Sequence, residues 1–206
     1  TSTNPGSAKM TTFVSYEQAA EILKTGGAVA LPTDTVYGLG VLPVSDESVR
    51  QLYALKKRPD NVALPVLCAS VEQAERAGII FTPQALRLAS AFWPGALTMI
   101  LRAPSELAAR VHSGEATVGV RIPNDDRLRS LLEQTGPLCV TSANEHGEAP
   151  CTSASMVAEL FDGRELSIVD GGVRSASVST VVVVGENLEL KREGAIRLEE
   201  LLHVLS

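Results

Sequence analysis

The residues of this chain with the types and spacing to do chemistry are hydroxyls gathered at the ends of apolar runs, together with a few isolated cations. Ala28 to Leu31 is a short apolar run, and it opens into Pro32-Thr33-Asp34-Thr35-Val36-Tyr37-Gly38-Leu39-Gly40. This stretch reads as a binding loop attached to a strand. Pro32 fixes the chain direction, and the glycines permit positive φ or a close backbone approach. Thr33 and Thr35 can each donate and accept a hydrogen bond. Thr141-Ser142-Ala143-Asn144 follows directly on the apolar stretch Leu138 to Val140. That places a hydroxyl and a carboxamide at a strand end, where ligands collect in open α/β sheets. Ser179-Thr180 is a second hydroxyl pair beside an apolar run, Val181 to Val184. A polar turn, a helix cap or an Asx-turn accounts for the same residue types, so each stretch alone leaves its role open.

Cations stand in three places: Lys56-Lys57-Arg58-Pro59 at a helix end, Arg121 within Val118-Gly119-Val120-Arg121-Ile122, and Lys191-Arg192-Glu193-Gly194 where a late strand ends. Lys56 and Arg58 read as solvent-facing charges, the usual condition of Lys and Arg. Arg121 is different. A guanidinium among apolar neighbours requires an anionic partner or a wet cavity, because an unpaired buried charge is too costly. The chain has no G-x-x-x-x-G-K-[ST] phosphate loop, no complete dinucleotide fingerprint, no H-E-x-x-H and no G-x-S-x-G. His112, His146 and His203 are scattered, which gives no support to a His-dependent triad. The whole set suits positioning and neutralising anions, not supplying a nucleophile.

The elements that must hold these groups follow from periodicity. Ser15-Tyr16-Glu17-Gln18 has capping-box spacing, and Tyr16, Ala19, Ala20 and Leu23 form the apolar face of a helix that Gly26 stops. A second helix is predicted from near Asp46, with Val49, Leu52 and Tyr53 inward, ending before Pro59. Further helices are predicted over Pro83 to Phe92, Asp125 to Gln134, Met156 to Phe161 and Leu198 to Leu205. Thr152 reads as a cap for the helix around Met156. Strands are predicted over Ala28 to Leu31, Leu64 to Ala69, Leu97 to Leu101, Leu138 to Val140, Ser167 to Val169, Val181 to Val184 and Leu188 to Lys191. Thr117 to Ile122 alternates, which puts Thr117, Gly119 and Arg121 on one side of a strand and Val118, Val120 and Ile122 on the other. Strands and helices alternate, with some strands consecutive. The expected fold class is therefore α/β, a twisted, open, mixed sheet with flanking helices.

The 206 residues, 45% of them hydrophobic, suit one domain over 12–206, after a loose terminus or appended remnant at 1–11. A net charge of -6, from 18 basic and 24 acidic residues, argues against a duplex footprint over the whole surface. Cys68, Cys139 and Cys151 lack metal-ligand spacing, and Cys68 and Cys139 read as buried, inert thiols. With no spanning or secretory segment in view, the expected location is cytoplasmic.

The motifs then resemble, in one order, those of the YrdC-like threonylcarbamoyl-AMP synthase family. Pro32 to Gly40 resembles its opening motif and Lys56-Lys57-Arg58-Pro59 its K-x-R-P. Trp93-Pro94-Gly95-Ala96-Leu97-Thr98 is similar to its W-P-G-x-x-T, and Val118 to Pro123 to its V-x-V-R-x-P. Ser142-Ala143-Asn144, Ser179-Thr180-Val181 and Arg192-Glu193-Gly194 follow in the family's sequence. Departures fall at Val62-Ala63, where the family has a polar residue and Pro, at Leu67, where some members carry His, and at His146, where a small Ser is usual. Because the sequence ends near the final R-E-G helix, the C-terminal domain of longer members is not expected here.

The resemblance implies a twisted α/β sheet with a concave basic cavity, and a reaction in which L-threonine, bicarbonate and ATP give threonylcarbamoyl-AMP and pyrophosphate. It further implies that Thr35, Arg121, Ser142 and Ser179 hold threonine. Lys56, Arg58, Thr117, Asn144, Thr152 and Arg192 would contact ATP, with Lys56 and Arg58 assisting the reaction. Mg²⁺ would enter with the triphosphate and not in a protein-built cage. The implied partners are the substrates and downstream proteins that modify tRNA, with weak RNA binding left open and no membrane. Two other readings fit the same residues: a diverged nucleotide-binding relative with another carbamoyl or acyl substrate, and an RNA-binding ribosome-maturation factor.

Overall fold

The computed structural model describes residues 10–57, 63–111, 116–145, 147–175 and 177–206. Arg58, Val62, His112 and His146 lie outside the described residues. The elements run β1 (Thr11–Phe13), α1 (Tyr16–Lys24), β2 (Val29–Pro32), β3 (Tyr37–Val41), α2 (Asp46–Lys56) and β4 (Val66–Leu67). They continue α3 (Val71–Arg76), α4 (Pro83–Phe92), β5 (Leu97–Arg102), α5 (Ser105–Arg110), β6 (Thr117–Arg121) and α6 (Asp126–Thr135). The rest are β7 (Leu138–Ser142), α7 (Ala154–Leu160), β8 (Leu166–Ile168), β9 (Thr180–Val184), β10 (Leu188–Arg192) and α8 (Leu198–Leu205). Among the described residues, no helix is long and apolar enough to cross a membrane.

Local chemistry sets most helix ends. Ser15 and Gln18 form the reciprocal capping box, with the Ser15 hydroxyl accepting from Gln18 N and the Gln18 carboxamide accepting from Ser15 N. Thr82 caps α4, and Pro83 occupies its first turn, where the missing N–H costs nothing. Asp125 caps α6 by accepting from Leu128 N at 2.9 Å. The cap of α7 is Ser153, whose hydroxyl accepts from Met156 N; Thr152, expected in that role, stands one residue earlier.

Among the described residues the strands join in one open, mixed sheet of ten, in the order β1-β8-β2-β3-β7-β4-β6-β5-β9-β10. Two expectations are corrected. Tyr37 to Gly40 is not loop but most of β3, which pairs antiparallel with β2 and with β7 and is buried throughout. Only Thr33 to Val36 forms the turn. The glycines therefore serve close approach and not positive φ. A Cβ on Gly38 would lie 2.5 Å from Val140 Cγ1 and 3.3 Å from the Thr141 carbonyl oxygen. Second, the strand expected over Leu64 to Ala69 contracts to Val66–Leu67. β1 begins at Thr11, inside the stretch read as a loose terminus, and pairs in parallel with β8.

The two faces of the sheet are covered unequally. Tyr37 and Leu39 of β3, Met99 of β5, Val120 of β6 and Val182 of β9 pack in a large core with Leu52 of α2, Leu88 of α4, Val157 of α7 and Leu201 of α8. Side chains alternate along each strand, so their neighbours point the other way. On that second face Val29, Leu31, Leu138 and Val140 pack under Leu23 of α1 and Leu128 and Leu132 of α6. Thr98 and Ile100 of β5, Gly119 and Arg121 of β6 and Val181 of β9 line an open concavity instead. Gly38→Ala is expected to lower stability by ~1–3 kcal/mol, the range for overpacking a tight interior, read as a lower urea midpoint at unchanged slope.

Candidate functional site

The turn between β2 and β3 is held by Thr33, whose N–H donates to the Val36 carbonyl at 3.2 Å and whose hydroxyl does the rest. Thr33 Oγ1 donates to the Val36 carbonyl at 2.6 Å, accepts from Thr35 N at 3.1 Å and lies 2.9 Å from Thr35 Oγ1. This internal bonding leaves Asp34 and Thr35 at fixed positions opposite Arg121. Arg121 is only 6% exposed. Its Nη1 donates to Asp34 Oδ1 at 2.7 Å, and its Nη2 lies 3.5 Å from Thr35 Oγ1. The burial of this guanidinium thus has both remedies that its apolar setting demanded, an anion and a cavity.

The cavity has a volume of about 330 Å³. Thr35, Arg121, Ser142, Ser179 and Arg192 all line it. It lies across the face of the sheet, with Gly38 and Gly119 as floor, and not beyond the strand ends where the sequence pointed. Among the described residues, both charged side chains on its wall are arginines. The Thr98 and Ser179 hydroxyls are 3.0 Å apart, and Arg192 donates through Nε and Nη2 to the Ser179 carbonyl at 3.1 and 2.9 Å. Burial, and then the charge of Arg121, hold the Arg192 guanidinium below its ordinary range. Two cations that feel one another across a cavity favour an anionic ligand.

The approach of Arg192 depends on Gly194. A Cβ there would lie 2.3 Å from the Val178 carbonyl oxygen and 2.6 Å from the Ser179 carbonyl carbon. Thr180, fully buried, turns away from the cavity and accepts from Gly194 N at 2.9 Å and Ile196 N at 3.1 Å. The segment before Ser179 is tied down by Tyr37, whose hydroxyl accepts from Gly171 N at 3.0 Å and donates to the Gly172 carbonyl at 2.9 Å.

Lys56 is placed differently from its expectation. It is 3% exposed, and its ammonium donates to the Ser142 carbonyl and to Asn144 Oδ1, both at 2.7 Å. Ser142 Oγ also donates to Asn144 Oδ1, at 2.7 Å, and Asn144 Nδ2 donates to the Glu148 carbonyl at 2.6 Å. Lys56 and Asn144 therefore stand behind Ser142, holding the wall and not forming it. Thr117 lies on the same face of β6 as Gly119 but opposite Arg102, outside the lining. Thr152 is also outside it, with its hydroxyl 3.4 Å from Met156 Sδ. Arg58 falls on residues outside the description. Asp34 and Thr98 were not assigned roles from sequence, although both lie inside the motifs quoted for the resemblance. A glycine on the hydrophilic side of an alternating strand was the available signal for the floor at Gly119. Cys68 and Cys139 are fully buried, and burial pushes both thiols up to about 12, consistent with inert core residues.

The Sua5_yciO_yrdC family model, described as "Telomere recombination", matches residues 21–194. Curated relatives called threonylcarbamoyl-AMP synthase include those of Bacillus subtilis (strain 168), 38% identical over 192 residues, and Pyrococcus abyssi (strain GE5 / Orsay), 39% identical over 191. Each match covers 91% of this chain but 56% of the relative, so the chain spans about half the length of these two proteins. The Saccharophagus degradans protein of the same name is 34% identical over 166 residues, covering 80% of this chain and 87% of the relative. Among solved structures, P. abyssi Sua5 complexed with L-threonine matches with a TM-score of 0.87 and 33% identity, over 95% of this chain and 60% of that one. E. coli YciO, at 23% identity and a TM-score of 0.79, shares the fold.

Removing the ammonium of Lys56 takes a charged donor from the Ser142 carbonyl and from Asn144 Oδ1, which among the described residues keep only Asn144 N at 3.1 Å and Ser142 Oγ at 2.7 Å. Lys56→Met is therefore expected to cost ~1.5–3 kcal/mol, the range for a hydrogen bond to a charged group, measured by guanidinium denaturation. A solvent-facing lysine would give no such loss.

Proposed function

The chain belongs to the Sua5/YciO/YrdC family, and from that premise we propose that it is an L-threonylcarbamoyladenylate synthase, a nucleotidyltransferase that joins L-threonine, bicarbonate and ATP into threonylcarbamoyl-AMP and pyrophosphate. The observation that carries this reading is the convergence of Thr35, Arg121, Ser142, Ser179 and Arg192 on one cavity from widely separated stretches. A relative at 33% identity was solved with L-threonine bound, which supports an amino-acid site in this fold.

The chemistry asks for positioning more than for a protein nucleophile. The threonine amine and bicarbonate condense to a carbamate with loss of water. A carbamate oxygen then attacks the α-phosphorus of ATP, and pyrophosphate leaves with the bonding electrons. Both reactants are anionic, so the protein must align them and offset their repulsion. Arg121 takes the threonine carboxylate, since a guanidinium edge matches a carboxylate bidentately. Thr35, Ser142 and Ser179 offer hydroxyls to the rest of the amino acid. Arg192, on the cavity wall, takes the nucleotide phosphates together with Arg58. Lys56 serves the nucleotide indirectly, by fixing Ser142 and Asn144. Thr117, Asn144 and Thr152, outside the lining, meet the part of the nucleotide that extends beyond the cavity. Mg²⁺ arrives as part of the MgATP substrate. The product passes to proteins that complete the threonylcarbamoyl modification of tRNA adenosine, in the cytoplasm.

Incubation with ATP, threonine and bicarbonate should release pyrophosphate and yield a species with the mass of threonylcarbamoyl-AMP. ATP binding without any effect of threonine would point to a different acyl substrate. Salt-sensitive RNA affinity without turnover would point to an RNA-binding role. Arg121→Ala is expected to weaken threonine binding by ~1.5–3 kcal/mol, the range for a hydrogen bond to a charged group, as measured by calorimetry.

A further inference from the structure

The ion pair between Asp34 and Arg121 joins distant parts of the sheet. Asp34 follows β2, Arg121 ends β6, and β3, β7 and β4 lie between those strands. The two side chains are 11% and 8% exposed, so the contact is sheltered from the solvent screening that weakens surface pairs. Its geometry is specific. Asp34 Oδ1 takes Nη1, at 2.7 Å. Among the described residues Nε of Arg121 has no partner, and Nη2 has only the long contact to Thr35. Nε and Nη2 together form one two-donor edge of a guanidinium, the edge that grips a carboxylate side-on. Arg121 and Thr35 line the cavity, whereas Asp34 does not.

We propose that Asp34 is a positioning residue, which holds Arg121 by Nη1 so that the Nε/Nη2 edge stays free and fixed for the carboxylate of the acceptor amino acid. This inference rests on the synthase reading for the identity of that ligand. Asp34 has a second effect through charge. It offsets Arg121, so that of the two guanidiniums only Arg192 is left without a carboxylate partner among the described residues, and available to the phosphates. The turn is built for the task, because the Thr33 hydroxyl fixes the backbone on either side of Asp34. A competing arrangement, in which Asp34 is a stand-in that a ligand carboxylate must displace, predicts the opposite sign when its charge is removed.

The test is a double-mutant cycle on the full chain, with threonine affinity read by calorimetry and KM values read by pyrophosphate release. Asp34→Asn should weaken threonine binding about tenfold while leaving KM for ATP within about twofold. The same substitution made in Arg121→Ala should change threonine affinity no further, because Asp34 acts through Arg121. Unchanged or tighter threonine binding in Asp34→Asn would overturn the proposal, and so would a full tenfold effect persisting in the Arg121→Ala background. Nitrogen-15 NMR of the ligand-free chain keeps the inference separate from the synthase reading. Arg121 Nη protons should be resolved in the unaltered chain and averaged in Asp34→Asn. If the chain binds no threonine at all, the synthase reading fails, and averaged Nη protons in the unaltered chain would remove the positioning role as well.

Discussion

The sheet has two broad faces, and α2, α4, α7 and α8 pack over one of them. On the other, α1 and α6 shield the side that includes β2 and β7, and the remainder stays open to water. An uncovered sheet face must either be polar or be floored by residues with little apolar surface to lose. Gly38, Gly119, Thr98 and Ser142 meet that requirement over part of the floor, while Ile100 and Val181 leave apolar surface facing the cavity. The same shortage of cover makes room for Arg121, whose charge would be costly to bury beneath a helix without a partner. Everything in the site follows from this unequal layering. The turn after β2 leans in to satisfy the guanidinium, and the segment before β9 leans in from the other side with Ser179.

The helices with strong periodicity and clear caps were legible in the sequence. Pro83–Phe92 and Leu198–Leu205 form helices over the bounds that pattern alone suggests, and Ser15 with Gln18 makes the box its spacing announces. α3 and α5 span six residues each, too short for an apolar stripe to stand out. The strand β3 was hidden for a different reason. Two glycines in five residues argue against a strand on intrinsic preference. Here that preference yields to pairing with β2 and β7 on both edges, and to the need for a backbone close enough to Val140 that no side chain fits between.

The site was legible in its membership more than in its wiring. Hydroxyls at strand ends and an arginine in an apolar strand carry visible chemical signatures, and those residues do meet. Which group answers which is a property of the fold. Lys56 looks like any helix-terminal cation until the chain after β7 curls back to present the Ser142 carbonyl and Asn144 to it. Asp34 looks like a turn residue until β6 brings Arg121 within reach. Single-sequence patterns describe a side chain's neighbours along the chain, and these partners lie more than eighty residues away.

The order in which the sheet is threaded has a consequence for synthesis. The wall of the cavity is drawn from Thr33 through to Arg192, and its last contributions come with β9 and β10. β9 pairs in parallel with β5, Thr180 opposite Leu97, and β10 pairs in turn with β9. Such non-local pairing forms late, because the entropy of closing a long loop comes before any contact that offsets it. A chain still emerging from the ribosome can therefore assemble the β2–β3 hairpin and its turn, yet it has no second guanidinium and no Ser179 to face them. Ligand capture is in this sense a report that threading is finished: half-made molecules stay blind to the substrate.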